Sequence, residues 1–138
     1  MLRIELLPWD EARAQAEPIR MVVFVEEQGV PAELEMDERD AGCVHAVAFA
    51  DGRAVGTGRL LPDGHIGRMA VLEAFRDQGV GGAILERLVQ AAKERGHREV
   101  VLSAQVHALS FYMKHGFKLT GGAYEEAGIA HQDMRRSL

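Results

Sequence analysis

Three short apolar runs separated by two tight-turn signals constrain this chain most. The runs are "CVHAVAFA" (43–50), "RAVGTGRLL" (53–61) and "HIGRMAVL" (65–72), with Asp51-Gly52 and then Pro62-Asp63-Gly64 between them. A two-residue Asp-Gly connection between apolar runs sets an antiparallel hairpin, so this segment predicts three antiparallel strands in succession. The period then changes. Val80, Ile84, Leu88 and Ala92 recur at spacing four, and Ala83, Leu85 and Val89 widen the stripe. That pattern is an amphipathic helix of about four turns. Glu86, Arg87, Gln90, Lys93 and Glu94 lie mostly on its other side, and Gly96 is placed to cap its end.

The flanking segments complete the order. "RIELL" alternates Ile4 and Leu6 with charge and reads as a first strand ended by Pro8. Asp10 is placed to cap a helix that runs to about Val25 with a break near Pro18. Residues 26–40, "EEQGVPAELEMDERD", read as a loop or irregular helix. After the long helix, "REVVLSA" is a strand, 107–115 a short helix, and "GFKLT" and "HQDMRR" two final strands. The order β-α-β-β-β-α-β-α-β-β predicts an α/β chain with a mixed, mostly antiparallel sheet flanked by helices. A chain of 138 residues without repeats or linkers reads as a single domain, 1–138.

Composition narrows the function classes. With 47% hydrophobic and 27% charged residues the chain has the make-up of a soluble globular protein. A net charge of −5 argues against nucleic acid as a partner, which needs a basic stripe. No run of about 20 apolar residues and no targeting or lipidation signal is present, so no membrane partner is expected and the cytoplasm is the expected location. The single cysteine, Cys43, leaves no internal disulfide and no multi-cysteine metal site. It lies in an apolar run and reads as a core residue.

Arg76, Gly79, Gly81 and Gly82 stand just before the helical stripe. Glycine is a poor helix former, so three of them at a helix start need a reason. A helix N-terminus exposes unpaired N–H groups and partial positive charge. Glycines let several of these groups converge on one anion, and Arg76 can add a charge-assisted pair. A glycine-rich connection with no ligand is the other reading. The stretch is not a P-loop, because no Gly-Lys-Ser/Thr follows, and not a dinucleotide fingerprint, because GxGxxG and the βαβ context are missing.

"R76-D-Q-G79-V-G81" resembles the acyl-CoA-binding motif of the GNAT acetyltransferases, and the element order resembles that fold over nearly the whole chain. "VVFVEEQGVP", "IGRMAV", "SAQVHALSFY" and "AYEEAGIAHQDM", in that order, resemble the bacterial ElaA-like branch. Gln105 stands where many GNATs carry asparagine, and Ala130 where the branch often has proline before histidine. The resemblance implies acetyl-CoA as co-substrate and no metal. The pyrophosphate would sit on the backbone of Gln78, Gly79, Val80, Gly81 and Gly82 with Arg76, and pantetheine would pair with the strand edge at Met69, Ala70 and Val71. An unpaired strand edge can satisfy the two pantetheine amides as it would a peptide.

The implied reaction is attack of a primary amine on the thioester. A lysine-like amine with pKa ~10.4 is mostly protonated at neutral pH, so a base helps. The oxyanion needs a donor, for which the backbone N–H near Val71 is suited. Tyr112, from "FY" before "GF", is the candidate acid for the leaving thiolate; its other reading is a packing tyrosine. Of six histidines, His131 is the candidate base, because "GIAHQDM" resembles a segment that carries a catalytic histidine in some small-molecule-acetylating GNATs. His97 reads as solvated and His115 as a surface residue near a helix C-terminus. Gln105, His107 and His45 are candidates to line the substrate site, with Glu27 and Gln28 from the acidic segment.

Residues 26–40 carry seven carboxylates against Arg39 alone. They read as a solvated acidic face or as a rim that attracts a cationic amine. Arg59 and Arg68 can instead recognise a carboxylate, so the sign of the acceptor's distal group stays open. The expected activity is N-acetyl transfer to an amine of a small molecule or peptide, by a monomer or a homodimer. A non-catalytic acyl-CoA sensor or interaction module is the alternative.

Overall fold

The computed structural model describes residues 1–138. The elements are β1 (Leu2–Pro8), α1 (Trp9–Arg20), α2 (Ala32–Glu35), β2 (Val44–Ala50), β3 (Arg53–Leu60), β4 (Ile66–Val71), α3 (Val80–Glu94), β5 (Glu99–Gln105), α4 (Leu109–Lys114), β6 (Lys118–Glu126) and β7 (Ile129–Ser137). A π-helical stretch, Met21–Glu27, continues α1, and short 3₁₀ turns fill Glu38–Gly42, Glu73–Phe75 and Val106–Ala108. The order is the one the sequence predicts, with α2 added inside the segment 26–40.

The strands form two antiparallel sheets, ordered β1-β2-β3-β4 and β5-β7-β6. They meet side by side at one point, where His65 pairs in parallel with Val101 and the Val101 N–H donates to the Gly64 carbonyl at 3.2 Å. Beyond it β4 and β5 run in the same direction without pairing, so a cleft opens between them. A bulge on β4 interrupts its pairing with β3 between Thr57 and Arg59, and Arg68 there adopts φ +50°. Bulges increase local twist and bend a strand, which turns β4 away from its neighbours at this point.

α3 lies across one face of the first sheet. Its buried stripe of Val80, Ile84, Leu85, Leu88, Val89, Ala91 and Ala92 joins Val100, Leu102, Ala104 and Met134 of the second sheet in one core. The helix sits so close to β3 that a Cβ at Gly56 would lie 2.8 Å from Ile84 Cδ1. α1 covers the opposite face, where Ala12 packs on Val47 and Phe49. No helix is long and apolar enough to cross a membrane.

Three local expectations are corrected. Asp10 does not cap α1: Pro8 is the N-cap residue, no side chain caps it, and Asp10 sits in the first turn. Pro18 does not break the helix. It costs one N–H, but α1 continues to Arg20 and then widens into the π-helical stretch. The last two strands are longer than predicted. Gly121 and Gly122 resemble a turn but lie where the β6–β7 register shifts, and the Gln132 side-chain amide donates to the Thr120 and Gly121 carbonyls at 3.0 and 2.7 Å. Those bonds satisfy the bulge and let β6 run on to Glu126.

Candidate active site

The start of α3 faces the open cleft. Gly79, with φ +82°, is its N-cap residue. This left-handed conformation suits glycine and turns the chain into the helix. The backbone N–H groups of Gln78, Gly79, Val80, Gly81 and Gly82 have no acceptor within the chain. Five consecutive N–H groups without an acceptor at a helix N-terminus are the kind of donor set that can receive an anion. The glycines also serve packing. A Cβ at Gly82 would meet His115 Nε2 at 3.1 Å, and one at Gly81 would meet Phe111 Cζ at 3.5 Å. The Val80 side chain is buried in the core, so only its backbone belongs to the turn.

His115 is therefore no free surface residue: its Nδ1 pairs with Glu86 at 2.7 Å, and Arg136 holds the same carboxylate at 3.1 Å. Arg76 is also engaged. Its Nε donates to the Val71 carbonyl at 2.9 Å, and its Nη2 reaches both Glu27 oxygens at 2.8 and 3.0 Å. Arg76 can serve an anion at the start of α3 only by exchanging partners.

On β4 the backbone groups alternate. Leu72 donates to the Val55 carbonyl at 2.9 Å, and Gly56 stands opposite Val71. In an antiparallel ladder the next position therefore points its groups away from β3. Val71 presents its N–H and C=O to the cleft, whereas Ala70 turns its groups toward Thr57. Of the expected trio of Met69, Ala70 and Val71, Val71 has the exposed edge position and Ala70 does not. The Met69 side chain lies over Gly58 on the α3 face.

Tyr112 on α4 packs edge-on against Phe111 and Phe117, with ring centroids 5.0 and 5.9 Å away. Its hydroxyl donates to no protein group, and burial pushes its pKa up to about 12. Phe111 ties the same helix to Gly81, so Tyr112 is held beside the start of α3.

The second wall is polar. Gln105 ends β5, stands opposite His131 on β7, and exchanges two side-chain bonds with Gln28, at 2.8 and 3.3 Å. His107 Nε2 donates to Gln105 Oε1 at 2.6 Å. His131 Nδ1 donates to the Ile129 carbonyl at 2.7 Å, which leaves Nε2 with the lone pair when the ring is neutral. Tyr124 stacks on His131 with centroids 5.9 Å apart and an interplanar angle of 22°. Its hydroxyl donates to Asp133 Oδ1 at 2.9 Å and therefore accepts from Ser103. Sequence reasoning singled out none of Ser103, Tyr124 and Asp133. Only their cross-strand register brings them together.

Two expected substrate residues lie elsewhere. His45 is buried, its ring tilted against Trp9 with centroids 4.7 Å apart, and its Nε2 donates to the Asp40 carbonyl at 2.9 Å. Burial holds its pKa below the ordinary histidine value. Arg59 is buried as well, giving Nη1 to Asp40 at 2.8 Å and Nη2 to Asp37 at 2.7 Å. The acidic segment is thus divided: Glu26, Glu27, Glu33 and Glu38 are exposed, whereas Glu35, Asp37 and Asp40 turn onto arginines. Arg20 gives Nε to Glu35 at 2.7 Å and a two-nitrogen fork to Asp40 at 3.0 and 2.9 Å. Burial alone would raise the Asp37 and Asp40 pKa values. The Arg39 backbone N–H and Arg59 at Asp37, and Arg20 and Arg59 at Asp40, hold both below the usual range. Cys43 is buried, with its Sγ on the Arg39 carbonyl. No group of three or more His, Cys, Asp or Glu side chains gathers in a way that could hold a metal ion.

Residues 12–138 match the acetyltransferase (GNAT) domain. The chain belongs to the GNAT acetyltransferase family. It is 40% identical over 122 residues to the uncharacterized N-acetyltransferase YjcF of Bacillus subtilis (strain 168), covering 86% of this chain and 87% of YjcF. It is 30% identical over 128 residues to ElaA of Escherichia coli (strain K12), covering 87% of this chain and 84% of ElaA. The crystal structure of E. coli ElaA superposes with a TM-score of 0.88 at 27% identity, covering 99% of this chain and all of that one. An acyl-CoA N-acyltransferase from Pseudomonas aeruginosa superposes with the same TM-score at 32% identity, covering 99% of this chain and 100% of that chain. The fold and the ElaA-like branch of the GNAT family are both as the sequence motifs implied.

Proposed function

We propose that this GNAT protein transfers an acetyl group from acetyl-CoA to a primary amine by direct attack of the amine on the thioester. The observation that carries this reading is the row of five N–H groups, Gln78 to Gly82, that find no acceptor in the chain at the start of α3. The donor set fits a pyrophosphate, because converging N–H groups and a helix N-terminus favour a polyanion. The Val71 N–H is the oxyanion donor, and its C=O, which already accepts from Arg76 Nε, has a second lone pair for one pantetheine amide. The names of the Pseudomonas and Bacillus relatives, an acyl-CoA N-acyltransferase and an N-acetyltransferase, agree with this chemistry.

Acetyl-CoA supplies an activated acyl carbon and a thiolate leaving group. His131 Nε2, free to accept, takes the proton that the attacking amine gives up. Tyr112 donates its hydroxyl hydrogen bond toward the departing sulfur. Gln28, Gln105 and His107 fix the polar wall on which the amine is oriented. The test is thiol release from acetyl-CoA with a panel of amines, amino acids, polyamines and peptides, with mass detection of the acetylated product. Amine-dependent thiol release supports the reading. CoA binding without turnover on any amine would leave the acyl-CoA sensor instead.

A further inference from the structure

Arg68 is the one arginine near the cleft that donates no hydrogen bond. Its Nε is fully buried without an acceptor, and none of its other N–H groups donates within the chain. A buried unsatisfied donor is costly, and on a cation more so. Its nearest carboxylate atoms, Glu35 Oε1 at 4.0 Å and Asp37 Oδ2 at 3.7 Å, lie beyond hydrogen-bond reach. Both are committed to other arginines, Glu35 Oε1 to Arg20 and Asp37 Oδ2 to Arg59, each at 2.7 Å. Burial and the neighbouring Arg59 both work against the Arg68 cation. The backbone is unusual as well. Arg68 sits at φ +50° in the β4 bulge, a conformation that side-chain-bearing residues seldom adopt.

Its place in the fold suggests what the free guanidinium meets. β4 and β5 run parallel from the His65–Val101 bridge, so Arg68, three residues along β4 and in its bulge, lies across the cleft from the C-terminal part of β5, which ends at Gln105. Arg68 reaches the segment 35–37 and Gln105 reaches Gln28, so both side chains are on the face covered by residues 21–40. The cleft therefore has a polar wall at Gln105 and His131, and across it on β4 a guanidinium that donates no hydrogen bond and has Asp37 and Glu35 only at 3.7 and 4.0 Å. A planar guanidinium with unused donors matches a carboxylate.

We infer that Arg68 is a specificity-determining residue that receives a carboxylate on the acceptor, so that the substrate class is amines whose carrier bears a carboxylate: free amino acids or the C-terminal end of short peptides. This rests on the N-acetyltransferase reading above and goes one step past it. Arg59, the other arginine that the sequence offered for this role, is excluded by its two carboxylate partners.

The experiment compares each amino acid with its carboxamide, and each short peptide with its C-terminal amide, by kcat/KM in thiol release. The wild-type protein should favour the acid over the amide by ~10-fold or more, through KM, as expected for loss of a charge-assisted pair. Whether amino acids or peptides show the larger ratio tells the two sources apart. Arg68→Asn, whose side chain tolerates the left-handed backbone, should collapse that ratio toward one, and Arg68→Lys should restore part of it. CoA affinity by calorimetry reports whether each variant is folded. Calorimetric titration of CoA-loaded protein with an N-acetylated amino acid and with its amide gives the same comparison without turnover. Failure of the catalytic reading alone would abolish thiol release yet keep preferential binding of the acid. A wild-type protein that treats acid and amide alike, or an Arg68→Asn variant that keeps the wild-type ratio, overturns the assignment.

Discussion

Removing the Tyr112 hydroxyl separates two modes of leaving-group assistance. Burial places the phenol at about 12. An ordinary thiol lies near ~8.5, so complete transfer of the proton to a departing thiolate would be uphill by ~3.5 pK units, or ~5 kcal/mol. The thiolate leaves into the same desolvated surroundings, which raise its own basicity and narrow that gap. Tyr112 is therefore best suited to donate a hydrogen bond while the C–S bond breaks, with the proton following late. A hydrogen bond to a charged partner contributes ~1.5–3 kcal/mol, which corresponds to a ~10–150-fold loss of kcat in Tyr112→Phe. The Phe ring keeps the edge-on contacts with Phe111 and Phe117, so stability and CoA affinity should hold. Saturating thiol-release kinetics measure the loss, and calorimetry measures the affinity. Because the phenol stays protonated to high pH, no descending limb of kcat near pH ~10, the usual tyrosine range, should be attributable to it. A loss of kcat under ~3-fold would refute the leaving-group role. So would a limb near pH ~10 that disappears in the variant, since Tyr112 would then be an ordinary, solvated phenol.

Four further outcomes are expected. Glu27→Gln releases Arg76 for the cofactor phosphates and should tighten CoA binding, whereas Arg76→Ala should weaken it by ~1–3 kcal/mol; calorimetric titration reads both. Gly82→Val drives a side chain into His115, 3.1 Å from its Cβ, and should lower the melting temperature more than Gly81→Ala, where the contact is an ordinary 3.5 Å. Arg20→Met strands the buried Glu35 carboxylate and leaves Asp40 with Arg59 alone, and should cost ~3–5 kcal/mol in denaturant unfolding, the range for breaking a buried pair from one side. Stability should fall in two stages on acidification, followed by denaturant midpoints across pH. The unfolded chain protonates His45 near ~6.5 while the folded chain resists, so stability drops below that pH; Asp37 and Asp40, held low when folded, add a second loss below ~4.

The parts of this structure that were legible in the sequence are those encoded locally. Asp51-Gly52 gives the β2–β3 hairpin, the stripe from Val80 to Ala92 gives α3, and Gly79 before it gives the left-handed turn into that helix. These signals need only neighbours within a few residues. What was hidden is long-range pairing. Arg20 sits between Ile19 and Met21, and nothing local shows that its side chain reaches Glu35 and Asp40, 15 and 20 residues on. That fork buries Glu35 and Asp40 in an arginine–carboxylate network, while Glu26, Glu27, Glu33 and Glu38 of the same run stay exposed. It also withdraws Arg59 and His45 from the substrate site. Ser103, Tyr124 and Asp133 were invisible for a related reason. They lie on three strands, and the β6 bulge at Gly121-Gly122 shifts the register that brings Tyr124 opposite His131. A pattern read strand by strand carries no information on that shift.

The stretch from Met21 to Gln28 joins the two halves of the site. Its final residues have adjacent but different partners: Glu27 holds Arg76 beside the start of α3, and Gln28 holds Gln105 on the polar wall. A regular α-helix places successive side chains about 100° apart. The π-helical stretch Met21–Glu27 ends between these two contacts, with Gln28 as its C-cap. Such π turns are frequent at functional sites because they re-aim side chains without breaking the helix. An anion that draws Arg76 toward Gln78–Gly82 therefore competes with Glu27 for it, one residue from the Gln28–Gln105 pair.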